Sequence, residues 1–146
     1  MKVVAAPQLF ATPTDLARKV VELADIDDHH EVLEPSAGTG ALLDAIRERA
    51  ANARVFAVEV NGSLAENLAN RHAAPADAAE GLCKNVLQGD FLSLSPAALG
   101  KFDRHLCQWP PPAPRADGNC NTWEDLPAGS FKSQGTNVNA TLVILQ

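Results

Sequence analysis

A chain of 146 residues with 46% hydrophobic content holds enough apolar material for one packed domain and is too short to divide comfortably into two. Its formal charge of -6 at pH 7 excludes a surface that grips nucleic acid by phosphate neutralisation alone. No apolar run is long enough to span a bilayer, and MKVVAAPQLFATPTD lacks the ordered regions of a signal peptide, so the expected location is cytoplasmic and no membrane partner is expected.

In chain order, Thr12 and Pro13 predict a helix opening with an N-cap and a first-turn proline, with Leu16, Val20 and Leu23 on one face and an end near Asp25. EVLEPSAGTG then reads as a short strand breaking into a small-residue turn, and ALLDAIRERAANA as a helix with Leu42, Ala45, Ile46 and Arg49 at helical spacing. Arg54 to Asn61 predicts a second strand, and Ser63 with Glu66 predicts a capping box at the start of the helix that follows. Asn85 to Phe91 predicts a third strand, SPAALG a short helix and Lys101 to Trp109 a fourth strand. Strands alternating with helices imply right-handed crossovers and a mostly parallel sheet covered on both faces.

After Trp109 the periodicity stops. PPPAPRADGNCNTWEDLPAG carries turn residues without pattern, and roughly twenty such residues inside a compact domain are unusual. Two strand-like runs around Gly135 and Asn137 predict a β-hairpin at the end. One domain is expected over 1–146, divided into a cofactor-binding part at 9–109, an irregular junction at 110–128 and a terminal hairpin at 129–146. Cys83, Cys107 and Cys120 include no CxxC pair, which fits free thiols. His105, Cys107 and Cys120 lack the paired spacing that structural zinc favours, so no metal is assigned.

In open α/β sheets, ligands bind beyond the carboxyl ends of the strands. The first such end is Glu34 to Gly40, where Gly38 and Gly40 let the backbone turn sharply and approach a guest. The turn is neither GxGxxG nor followed by the lysine of a phosphate loop, so a diphosphate is not its natural guest. The second end carries Glu59, suited to accept hydrogen bonds from both hydroxyls of a ribose. The third carries Asp90, an acceptor for an exocyclic amine, beside Phe91, whose ring suits stacking on a purine. Together these describe a pocket for an adenosine with a small charged tail.

FATPTDLARKVVELADI, VLEPSAGTGALLDAI, FAVEVN, GDFLSL and FDRHLCQWPPP resemble the successive motifs of class I S-adenosylmethionine-dependent methyltransferases of the DNA adenine-N6 type, from about residue 9 to residue 106. The resemblance implies a Rossmann-like α/β fold with helices on both faces of the sheet. It also implies that Phe10, Thr12 and Pro13 cover the methionine end of S-adenosylmethionine, which Glu34, Ser36, Ala37, Gly38 and Gly40 line. Glu59 would hold the ribose, and Asp90 with Phe91 the adenine. The family's catalytic motif, Asn or Asp followed by Pro-Pro and an aromatic residue, holds the target amine and stacks the extruded base. Here CQWPPP stands in its place, with Gln108 or Trp109 where the Asn belongs and Pro110 and Pro111 following. Gln108 carries the same amide but is one methylene longer, and a displacement near 1 Å can cost about a hundredfold in rate.

The tail resembles the family's last two strands, yet about one strand and two helices that normally precede them are missing. The chain therefore reads as a member with an internal deletion or a damaged reading frame. The terminal hairpin is the candidate to cover the freed edge of the fourth strand, and an uncovered edge implies a homodimer. The expected partners are S-adenosylmethionine and, weakly, DNA, because no recognition domain is present. The reading from another class is a non-catalytic binding or interaction module that keeps only the fold.

Overall fold

A computed structural model describes residues 11–72, 86–95, 99–109, 122–125 and 141–145. Among the described residues the elements follow in the order α1 (Thr14–Leu23), β1 (Glu31–Glu34), α2 (Ala41–Arg49), β2 (Arg54–Glu59), α3 (Gly62–Arg71), β3 (Val86–Gln88), β4 (Arg104–Trp109), β5 (Thr122–Asp125) and β6 (Thr141–Leu145). A single 3₁₀ turn, Phe91–Ser93, follows β3. The sheet order is β3-β2-β1-β4-β6-β5. The first four strands in the chain are parallel, whereas β6 runs antiparallel to both β4 and β5.

The order reverses at β1, since the chain builds outward to β2 and β3 on one side and returns to place β4 on the other. Such a reversal opens a crevice above the carboxyl ends of the central strands. Val32 and Leu33 point to opposite faces by strand alternation, and both are buried. Both faces of the sheet are therefore covered at its centre, as parallel strands require, whereas at β3 Leu87 is 38% exposed.

One core cluster joins Val32, Val55, Ala57 and Leu106 of the sheet to Ala17, Val20 and Val21 of α1, to Leu42, Leu43, Ala45 and Ile46 of α2, and to Leu68 of α3. Each fully buried aliphatic side chain of this kind contributes about 1.5–3 kcal/mol. Position 17 replaces position 16 or 23 as the inner face of α1. Leu23 is exposed and Leu16 only half-buried, because the small Ala17 and Ala24 let α1 lie close against α2 and the sheet.

The helix starts differ from the expected caps. Pro13, not Thr12, occupies the N-cap of α1, and its carbonyl accepts from the Ala17 N–H at 2.9 Å. At α3 the cap is Asn61, whose side chain accepts from the Leu64 N–H at 3.1 Å, so Ser63 lies inside the first turn. The end of β2 two residues earlier decides which N–H groups are left orphaned, and Asn61 stands nearest to them.

The amino ends of β1 and β4 are fastened twice: the Asp103 N–H donates to the Glu31 carbonyl and the Glu31 N–H to Asp103 Oδ2, each at 2.8 Å. Arg104 Nε donates to the Ala24 carbonyl at 2.9 Å, joining β4 to the end of α1. On its outer edge β4 is paired over five residues with β6, from His105 opposite Leu145 to Trp109 opposite Thr141. The freed edge expected from the sequence is thus covered by the tail. The partner of β6 in the terminal pair is β5, at Thr122–Asp125, inside the stretch expected to be irregular. Residues 129–140, expected to supply the first arm, lie outside the described residues, as do the central residues of SPAALG.

Candidate functional site

The carboxyl ends of β1, β2 and β3 bring Glu34, Glu59 and the Asp90–Phe91 turn to one edge of the sheet. Beyond Glu34 the chain turns through Pro35 to Gly40 and enters α2. Gly38 and Gly40 both have positive φ, 55° and 85°, which explains glycine at these positions. Gly40 is also a close approach: an added Cβ would run into the Leu68 side chain and lie 2.9 Å from Arg71 Nη2.

Glu59 clasps this turn. The Gly38 N–H donates to Glu59 Oε2 at 2.7 Å, and the Asn61 N–H donates to Oε1 at 2.8 Å. The backbone adds to the clasp, with the Ala37 N–H donating to the Val58 carbonyl at 2.9 Å and the Gly89 N–H to the Glu59 carbonyl at 3.0 Å. One buried side chain thus fastens the β1 turn, the β2 end and the start of α3. Sequence reasoning placed Glu59 in the site but did not foresee this second role, because Gly38 is 21 residues away. Each carboxylate oxygen has a second lone pair, so two ribose hydroxyls remain acceptable partners.

Glu34 is 1% exposed. Its Oε1 accepts from the Ser36 N–H at 3.0 Å with the Ser36 hydroxyl at 3.4 Å, while Oε2 has no partner. Burial pushes its carboxyl up to about 8, opposed by the Ser36 hydrogen bonds and reinforced by the Glu59 charge.

Asp90 sits at the exposed end of β3 and caps its own turn, accepting from the Leu92 N–H at 3.0 Å. Phe91 is half-buried beside it. Two apolar residues that sequence reasoning passed over flank these groups: Val60 is 69% exposed directly after Glu59, and Leu92 is 79% exposed directly after Phe91. A valine ending a β-rich run reads as core, and only its position one residue past the ladder turns it outward.

On the outside of the turn, Arg71 Nη2 meets Asp44 Oδ1 and Oδ2 at 2.9 and 2.8 Å, and Nη1 donates to the Thr39 carbonyl at 3.2 Å. His72 Nε2 lies 3.2 Å from Asp44 Oδ1, and burial lowers the His72 ring below its ordinary range. Arg71→Met is expected to cost no more than about 1 kcal/mol, since the pair is partly solvated. Thermal unfolding should register it as a drop of about 2–4 °C.

Thr12 and Pro13 are half-buried at the entrance to α1, and Ser36 is exposed beside the buried Ala37. Phe10, Pro110 and Pro111 lie outside the described residues. Gln108 and Trp109 are still paired to β6, so the strand runs to the edge of the proline run. The β1–β4 register sets Leu106 level with Glu34, which puts Gln108 two residues, about 7 Å, further toward the carboxyl edge.

The architecture is matched by a solved RNA methyltransferase from Salinibacter ruber in complex with S-adenosyl-L-homocysteine. The TM-score is 0.55 with 16% identity, over 92% of each chain. The chain therefore has a Rossmann-like methyltransferase fold. In sequence, 52 residues are 40% identical to ribosomal RNA small subunit methyltransferase A of Streptococcus pneumoniae strain Hungary19A-6. The same protein of strain ATCC 700669 / Spain 23F-1 is 41% identical over 52 residues. These matches cover 36% of this chain and only 18% of each relative's length. No family model matches the chain.

Proposed function

We propose that the chain binds S-adenosylmethionine across the carboxyl edge of β1, β2 and β3, as a methyltransferase-like domain whose acceptor is an amine of a nucleic-acid base. The observation that carries this reading is the glycine turn clasped by Glu59 beside the buried Glu34, whose Oε2 has no partner among the described residues. The groups on this edge suit the molecule: Glu59 to accept from the ribose hydroxyls, Asp90 to accept from the adenine amine, Val60 and Phe91 for the faces of the ring. On this reading Glu34, Ser36, Ala37, Gly38 and Gly40 would surround the charged tail and Thr12 and Pro13 would cover it, with Phe10 assigned there by the resemblance alone. A methyl group on a sulfonium is an electrophile that an amine attacks directly, without a covalent enzyme intermediate. The chain's own task is positioning, which supplies rate by holding donor and acceptor in line.

Gln108 is the candidate to hold the acceptor amine through its side-chain carbonyl, and the resemblance assigns Trp109, Pro110 and Pro111 to the same catalytic stretch. The family's amide at that place is an asparagine, and the aromatic residue after Pro-Pro is a proline here. That departure favours a second reading, a module that binds the cofactor without transferring methyl. The motifs resemble a DNA-modifying family, whereas the similar proteins are named for RNA, so RNA is the first acceptor to try.

Calorimetric titration of the folded chain with S-adenosylmethionine is expected to give saturable one-to-one binding. Transfer of labelled methyl to adenine-containing RNA or DNA then separates enzyme from module, and binding without transfer to either supports the module. A folded chain that does not bind sinks both.

A further inference from the structure

Glu34 and Glu59 share one face of the sheet, because Glu34 is in register with Ala57, two residues before Glu59. Their surroundings differ. Each Glu59 oxygen accepts a main-chain N–H, but among the described residues Glu34 receives donors only at Oε1, from Ser36, and its Oε2 is buried without any. An unpaired charge on a buried oxygen costs several kcal/mol, and a second carboxylate nearby adds to that cost. A proton on Oε2 removes it.

We infer that Glu34 is a carboxylic acid in the ligand-free protein, and that a cationic ligand entering the site expels its proton to solvent. The O–H bond at Oε2 breaks, the electron pair stays on the carboxylate, and the buffer takes the proton. Binding becomes an exchange of one positive charge for another. The exchange rests on the reading of this site as an S-adenosylmethionine pocket, whereas the protonation of Glu34 does not.

The charged groups on the surrounding elements leave Glu34 to itself. From β2 the charge that acts on it is Glu59. From α2 and α3, Asp44, Arg71 and His72 engage one another outside the turn. From α1, Ala17, Val20 and Val21 face the core while Arg18 pairs with Glu48 at the surface. His105 of β4 is in register with Leu33 and thus belongs to the opposite face.

The sign of the pH dependence follows. Below about pH 8 the ligand must displace a proton, so its affinity rises with pH, approaching tenfold per unit well below 8 and levelling above. An uncharged adenosine thioether, such as 5′-methylthioadenosine, leaves the proton in place.

Carbon-13 carboxyl NMR of the full ligand-free chain, with Glu34→Gln for assignment, tests the acid directly. One glutamate is expected to titrate near pH 8 and to be missing from the variant. A Glu34 midpoint in the ordinary carboxylate range overturns the inference. Glu59→Gln, which removes the neighbouring charge, should shift that midpoint down and identifies the signal if Glu34→Gln does not fold.

Calorimetry at pH 7 in two buffers of different ionisation enthalpy then counts protons. About nine-tenths of a proton should leave per S-adenosylmethionine bound, and none with 5′-methylthioadenosine. Equal release with both ligands, or release with neither, overturns the exchange. A chain that binds no S-adenosylmethionine but shows the high midpoint overturns the reading of the site and the exchange together, while upholding the acid.

Discussion

Glu59→Ala is expected to weaken S-adenosylmethionine binding by about a hundredfold or more. Losing two hydrogen bonds to a charged acceptor amounts to roughly 3 kcal/mol, which is about two decades in affinity. The substitution also strips the Gly38 and Asn61 N–H groups of their acceptor, which destabilises the fold by about 2 kcal/mol. Calorimetry reads the first effect and thermal unfolding the second. Glu59→Gln divides them, because its amide oxygen still accepts one main-chain N–H while its NH₂ group repels the other. A chain in which the alanine variant unfolds earlier yet binds equally well would confine Glu59 to the clasp and remove it from the ribose.

Gly40→Ala should be the most damaging small substitution in the turn, at about 3 kcal/mol. A non-glycine residue at φ 85° costs about 1–2 kcal/mol, and displacing Leu68 and Arg71 adds about as much. The expected fall in melting temperature is roughly 10 °C. Gly100 supplies the control, since its φ is 86° but an added Cβ meets nothing within 4 Å. Gly100→Ala should therefore lose only the backbone contribution, about 1–2 kcal/mol. Equal losses at the two positions would show that the contact with Leu68 relaxes without cost.

What the sequence disclosed follows the range of the interactions that produced it. EPSAGTG between a β-rich run and a helical period defines the turn from local pattern alone, and Glu34, Glu59 and Asp90 fall at strand ends because strand ends are local too. The caps were misplaced by one or two residues, since Thr12 with Pro13 and Asn61 with Ser63 each offer adjacent candidates and the sheet chooses between them. Thr122–Asp125 gave no periodic signal across four residues, and its strand is defined by pairing with β6, a partner in the final stretch of the chain. The clasp by Glu59, the unpartnered Oε2 of Glu34 and the outward Val60 are tertiary facts with no signature in spacing.

The ladder between β1 and β4 has a wider meaning. On one side of it every strand comes from residues up to Gln88, and on the other every strand comes from Arg104 onward. The two flanks meet where Val32 faces Arg104 and Leu33 faces His105, at the Glu31–Asp103 hydrogen bonds, and through Leu106 in the shared core. The hydrogen bonds described for Glu34 and Glu59 all come from the first flank, from Ser36, Gly38 and Asn61, and none from a strand beyond β4. Grafting a longer flank onto this chain at the end of β4 would, on the same logic, replace the neighbour β6 and leave those hydrogen bonds in place.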